Sequence, residues 1–191
     1  MTGSESVLPP ASPVASRRTA AGDGAVADAF LGSPEQRIAW ARHRYFDAGE
    51  RPPGGWIGDA VLQSWQRCLQ SGRRPDDLPV FEAVSAARTR ATLDRHRALL
   101  AAADPEIETL ARQLSGTGCM TLLSDRRGMT MRAIRPLEPS PLLKVSGRIG
   151  VDLGELSLGG TAPGIAAKDA IACSVSGGEH FFAALQQVHC V

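Results

Sequence analysis

Apolar and polar positions first settle into a helical rhythm at Ser33. Upstream, residues 1–32 are rich in Ala, Ser, Pro and Gly, carry no apolar period and read as a disordered leader. Ser33-Pro34-Glu35-Gln36 offers an N-cap hydroxyl, a proline at the first helical position and a glutamine at the third, which predicts a capping box and a helix to about Asp47. The stretch from Glu50 to Gly55, with paired prolines and paired glycines, predicts a turn. From Ile57 the apolar positions Ile57, Val61, Leu62, Trp65 and Cys68 share one helical face, and Gly72 is placed to stop that helix. Beyond the break from Pro75 to Pro79, the stretch from Phe81 to Ala103 reads as one long amphipathic helix. Asp104-Pro105-Glu106 repeats the cap-and-proline signature, and Ile107, Leu110, Ala111 and Leu114 follow at helical spacing before Gly116 and Gly118. Two antiparallel helices are expected there.

The period then changes. Residues 119–123 and 129–134 alternate around Ser124-Asp-Arg-Arg-Gly128, which predicts a hairpin with glycine in its turn. Residues 136–160 read as irregular, 161–168 as a short helix and 170–175 as a strand. Glu179 is expected in the first turn of a final amphipathic helix carrying Phe182, Leu185 and Val188, where its charge complements the exposed amides. Helices ahead of a hairpin and a later strand make this an α+β chain with an antiparallel sheet, not a βαβ dinucleotide fold. The expected organisation is a leader over 1–32, a helical region over 33–115 and a sheet region over 116–191.

Composition narrows the function. Against 20 acidic residues stand 21 basic ones, all arginine except Lys144 and Lys168, so no long-range field attracts a polyanion and direct nucleic-acid binding gains no support. Four cysteines, Cys68, Cys119, Cys173 and Cys190, form neither a CxxC nor a dense ladder, which favours a reducing, cytoplasmic setting. No apolar run approaches the roughly 20 residues of a membrane helix.

The candidate chemistry is thin. His180, His189, Cys173 and Cys190 match no compact zinc spacing, and Glu179-His180 lacks a second ligand because Ala184 stands four residues on. Cys119, Cys173 or Cys190 beside a histidine would be a thiolate nucleophile, but no sequence feature lowers a thiol pKa, and packing is the simpler role. Gly154, Gly159, Gly160 and Gly164 do not form a phosphate-binding loop. Arg73-Arg74 and Arg126-Arg127 fit solvated turns, and Trp56 and Trp65 fit packing anchors better than ligand walls. No catalytic residue, metal or cofactor is assigned.

Taken in order, several segments resemble one family. Ser64-Trp65-Gln66-Arg67-Cys68 with Gly72 and Pro75, then Leu99-Leu100 with Ala103-Asp-Pro105, then Leu122-Leu-Ser-Asp125-Arg-Arg-Gly128 follow its pattern. So do the run from Glu155 through Gly159 and Gly164 to Ala166, and Gly177-Gly-Glu179-His180-Phe181 followed by Cys190. Over residues 57–191 the chain is similar to the N-terminal, GAF-containing sensory region of sigma-54-dependent bacterial transcriptional activators of the acetoin-regulator type. The resemblance implies a GAF-like sheet, no catalysis and a signal-sensing role. It implies a small-molecule effector or a regulatory partner protein.

It further implies an effector pocket near Leu153, Glu155, Thr161, Glu179, His180 and Phe181. Trp65, Arg67, Cys68, Asp125, Gly128, Gly159, Gly164 and Cys190 are implied as structural motif positions. The chain departs from the family where Leu153-Gly154 replaces tryptophan-serine and Gly160-Thr161 replaces threonine-asparagine, which alters the expected pocket. The family continues past its cysteine with further strands, an ATPase domain and a helix-turn-helix. A sheet stopping at Val191 is therefore expected to be partial, without its own ATPase or DNA-binding domain, and to seek a partner, in the first instance a second copy. The alternative expectation is a protein-interaction module that has lost the pocket.

Overall fold

A computed structural model describes residues 32–191; apart from Gly32, the expected leader lies outside the described residues. Helix α1 (Pro34–Phe46) opens with the capping box read from the sequence: Gln36 N donates to Ser33 Oγ and Ser33 N to Gln36 Oε1, both at 3.2 Å. Helix α2 (Asp59–Gln70) buries Val61, Leu62, Ser64, Trp65 and Cys68 along one face and ends before Gly72 at φ +81°.

The helix expected from Phe81 begins only at Ala86 and breaks once, at His96. Residues 80–84 run extended instead, with Val84 N donating to Gly150 O at 2.9 Å and Asp152 N to Glu82 O at 3.0 Å. Ser85 caps α3 (Ala86–Arg95), and after His96 the chain continues as α4 (Arg97–Gln113). Asp104-Pro105 does not start a helix. Pro105 lies inside α4 on its exposed side, above an exposed Ala101, so the carbonyl it leaves unbonded faces solvent. The Asp104 carboxylate accepts from Arg132 Nε at 2.7 Å, holding α4 against the hairpin. The break expected at residues 104–106 between two antiparallel helices is thus absent, and α4 runs straight through it.

Strands β1 (Thr121–Ser124) and β2 (Thr130–Ile134) pair antiparallel, Thr121 opposite Ile134, with an irregularity at Leu123/Ser124. Asp125 Oδ1 accepts from Arg127 N and Met129 N, both at 2.9 Å, and Gly128 takes φ +85°. On its other edge the hairpin meets residues 150–153: Thr130 N donates to Val151 O at 2.9 Å and Leu153 N to Gly128 O at 2.9 Å. Residues 150–152 in turn meet 82–84. The result is a small, irregular antiparallel sheet behind an N-terminal helical region, the mixed α+β class expected.

Residues 136–160 hold two helices that the sequence reading left irregular. Ser140 and Pro141 start α5 (Pro141–Ser146) as Ser33 and Pro34 start α1, and α6 (Glu155–Leu158) is one turn. Helix α7 (Ala162–Asp169) follows, capped by Thr161. The strand expected over 170–175 shrinks to β3 (Val175–Ser176), paired with β4 (His189–Cys190). The expected final helix is two 3-10 turns, Gly177–Glu179 and Ala183–Leu185. The carbonyls of residues 178–181 are bonded instead by side chains of α1 and α2, which hold this stretch out of a continuous α-helix.

The main core joins both halves of the chain. Trp65, Phe181, Phe182, Ile165 and Val175 are fully buried in it, with Phe46 and Tyr45 packed against Trp65. A smaller cluster of Val151, Leu153 and Leu158 takes Phe81 and Leu122. Gly159 sits between the two at φ +66° and ψ −158°, where a Cβ would lie 3.0 Å from that of Phe181. Gly159→Ala is therefore expected to cost at least the roughly 1–3 kcal/mol of a backbone held in a glycine-only region. Urea unfolding checks this, and a change below about 0.5 kcal/mol, within the scatter of ordinary surface substitutions, would refute it.

Candidate functional site

Residues 176–190 have little regular structure of their own, and α1 and α2 set their path. Along α1, Ile38, Ala41, Arg42 and Tyr45 recur at three, one and three, so Arg42 falls on the apolar, inward face. Its Nη1 donates to Gly178 O at 2.8 Å and also to His180 O, while Nη2 donates to Phe181 O at 3.1 Å. The guanidinium lies 4.9 Å from the Phe46 ring and 5.5 Å from that of Trp65. Gln186, turned to satisfy both partners, accepts from Arg42 Nη2 and Nε at 3.2 and 3.1 Å. Burial lowers the Arg42 pKa to about 10, with Asp76 and Asp47 opposing, so it stays charged at neutral pH. From α2, Trp65 Nε1 donates to Glu179 O at 2.8 Å.

A second fastening joins α2 to α6 and α7. Arg67 grips Glu155 with one edge of its guanidinium, Nε donating to Oε2 at 2.7 Å and Nη2 to Oε1 at 2.6 Å, and Nη2 also donates to Asp169 Oδ2 at 2.9 Å. The Glu155 side chain is only 9% exposed. Beside it the Cys68 thiol is pushed up to about 11 by burial, with the Glu155 carboxylate adding to the rise. A thiol so raised, with no imidazole against it among the described residues, is a packing group and not a nucleophile.

The residues expected to form an effector pocket are dispersed among structural tasks. Leu153 belongs to the smaller core and Phe181 to the larger. Glu155 is held by Arg67, and Thr161 Oγ1 accepts from Gly164 N at 3.2 Å as the cap of α7. The Glu179 carboxylate accepts from Ser176 N at 2.9 Å, closing a capping box over a single 3-10 turn. His180 is fully buried, with Nδ1 3.1 Å from Gly177 O and Nε2 3.2 Å from Cys190 Sγ. None of the six lines the larger cleft on the surface.

That cleft, about 720 Å³, lies between α1, the turn at residues 74–76 and the segment 176–189. Arg74, His43 and His189 bring basic groups to it, and Glu35, Asp47 and Asp76 bring acidic ones. The Arg42 donors are already engaged at its floor. Sequence reading missed this place, although an arginine on the apolar face of α1 was a usable signal. Among the described residues, no three His, Cys, Asp or Glu side chains are grouped to hold a metal ion, and no helix is long and apolar enough to cross a membrane.

No protein-family model and no curated protein matches the chain. Among solved structures, it is similar to a chain in the crystal structure of the E. coli DhaR(N)–DhaL complex, with a TM-score of 0.58 and 17% identity. The two share a fold. The likeness covers 68% of this chain and 44% of that one, so this chain spans less than half the length of its structural neighbour.

His180 gives the segment a pH dependence. Burial lowers its pKa first, the Gly177 carbonyl works against that, and His189 and Arg42 lower it further. With the folded pKa below the unfolded value of about 6.5, the unfolded chain binds more protons between the two. Stability is fully present above about pH 6.5 and is lost as pH falls through the folded value. Urea midpoints are expected to fall between pH 7.5 and 5.5, and less steeply in His180→Gln; equal slopes in the two proteins would exclude His180 as the source.

Proposed function

We propose that this chain is a GAF-like signal-sensing module of a bacterial transcription regulator, acting in the cytoplasm by binding a small effector or a partner protein and not by catalysis. One observation carries the reading. The Ser64–Cys68 segment and the Glu155–Gly164 segment, two of the pieces in which the sequence resembles the acetoin-regulator family, are clamped together by Arg67, Glu155 and Asp169. The fold likeness to a chain of the DhaR(N)–DhaL complex supports it. In this reading the cleft beside α1 receives the effector, and Glu179, His180 and Phe181 shape its floor through the 176–190 segment. An effector that displaced Gln186 or the 177–179 turn from Arg42 would shift α1, whose movement a partner or a second copy could read.

Ligand-observed NMR and calorimetry against a panel of small metabolites test the proposal. A saturable binder whose contacts map to α1 and residues 176–189 is the expected result. A panel without any saturable binder would favour the second reading, a protein-interaction module. The packing of all six expected pocket residues into caps, ion pairs and core favours that reading. Light scattering tests self-association, and a monomer independent of concentration would remove the homodimer from either reading.

A further inference from the structure

Two thiols and an imidazole meet at the C-terminal hairpin, on residues that do not themselves line the cleft. Cys190 stands opposite Val175 across β3–β4, and Cys173 lies two residues before Val175 in the segment that enters β3. The Cys173 thiol lies 3.6 Å from Ala162 O, and the Ala162 backbone and the Cys173 thiol both act on the electrostatics of the Cys190 thiol. Both residues pack against the main core and keep partial solvent access. His180 Nδ1 faces the Gly177 carbonyl at 3.1 Å, which fixes the proton there and leaves the Nε2 lone pair toward Cys190 Sγ at 3.2 Å. This is a thiol, a base beside it and a third group orienting the base.

We infer that Cys190, His180 and Cys173 form a peroxide-reactive dithiol site, in which Cys190 is oxidised first and Cys173 resolves it to a disulfide. His180 Nε2 takes the Cys190 proton as Sγ attacks one peroxide oxygen. The O–O bond breaks, the departing oxygen takes the proton from His180 and leaves as water, and Cys190 becomes a sulfenic acid. Cys173 Sγ then attacks Cys190 Sγ, the S–O bond breaks, and the hydroxide leaves with the Cys173 proton as a second water. The two thiols lose two electrons in all, and the peroxide accepts them. Burial raises both thiols and lowers His180, so the resting pair is neutral and answers a peroxide pulse slowly. Closure would staple β4 to the segment leaving α7, next to the carbonyls that Arg42 holds.

The test uses the full chain carrying Cys119→Ser, which removes an exposed thiol free to link two chains. After hydrogen peroxide, peptide mass spectrometry is expected to find a Cys173–Cys190 peptide two hydrogens lighter than its parts, reversed by dithiothreitol, with Cys68 still reduced. In the same background Cys173→Ser is expected to leave a dimedone-reactive sulfenic acid at Cys190, and His180→Gln to slow oxidation at least tenfold. The Cys173→Ser variant keeps His180 and both core clusters, so its readout stands even if His180→Gln fails to fold. Reduced Cys190 after peroxide treatment would overturn the inference. So would oxidation of Cys190 without any Cys173-linked peptide.

Discussion

Replacing Arg67 with methionine is expected to destabilise the fold by about 3 kcal/mol, at the lower end of what breaking a buried ion pair costs. Methionine keeps the apolar stem that packs along α2 and removes only the fork. The Glu155 carboxylate, 9% exposed, is then left without its two bonds at 2.7 and 2.6 Å, and Asp169 without its one at 2.9 Å. Glu155 lies at the start of the one-turn α6 with little of its carboxylate open to water to replace those bonds. The Glu155 hydrogen bonds also raise the already high pKa of Arg67, so no accessible pH uncharges the clamp from the arginine side. Arg67→Lys keeps the charge but offers one point donor where a planar fork is required, and about 1.5 kcal/mol is expected, roughly one charged hydrogen bond. Urea midpoints of the three proteins at pH 7 check the order. A methionine variant within 1 kcal/mol of the parent, or a lysine variant no better than methionine, would show that the clamp is not what holds α2 to α6 and α7.

The near absence of lysine gains a meaning from this geometry. Arg42, Arg67 and Arg132 each hold together pieces of chain distant in sequence: α1 to the 178–181 carbonyls, α2 to α6 and α7, and β2 to α4 through Asp104. Each needs several donors in a fixed plane, which an ammonium on a flexible stem does not supply. Basic residues that composition assigns to solvated helix faces are in these places the joints of the fold.

What the sequence revealed, and what it hid, follows the range of the forces involved. Helix starts carried by neighbouring residues were legible: Ser33-Pro34 set α1, Thr161 set α7, and Asp125 with Gly128 set the hairpin turn. Ser140-Pro141 carried the same signal and was overlooked beside the nearby glycines. Phe81 and Val84 misled because their spacing suits a helix, while the segment finds better partners in the backbone of residues 150–152, about seventy positions away. Asp104-Pro105 misled because Arg132 claims the carboxylate that would have capped a helix. Residues 177–188 have helical apolar spacing, but Arg42 and Trp65 take the carbonyls a helix would need. No local pattern announces a donor more than a hundred residues away. The same holds for Glu155, whose partner Arg67 lies 88 positions away; Glu179 and His180 instead bond near neighbours, and Ser176-Gly-Gly-Glu179 is a capping box written in the local sequence.

Trp65 is the position where those distant constraints converge, and Trp65→Ala is expected to cost about 4 kcal/mol, within the range for emptying a buried aromatic site. The side chain is fully buried, its ring centroid lies 4.7 Å from Phe46 and 5.4 Å from Tyr45, and Arg42 stands over it. Its loss opens a cavity between α1 and α2 and also leaves Glu179 O without its donor, in a turn held by a single 3-10 bond from His180 N to Gly177 O. Trp65→Phe separates the two effects. Phenylalanine refills most of the volume but cannot donate, so a cost of about 1–3 kcal/mol for the unpaired carbonyl and the residual gap is expected. The 176–190 segment is then expected to loosen before the rest unfolds, with faster amide exchange at residues 180–182 and at Val175 while α4 and the β1–β2 hairpin keep their protection. Hydrogen exchange read by mass spectrometry distinguishes that outcome from uniform destabilisation, in which every element would exchange faster by the same factor and Trp65 would be a packing residue with no particular hold on the segment that forms the cleft.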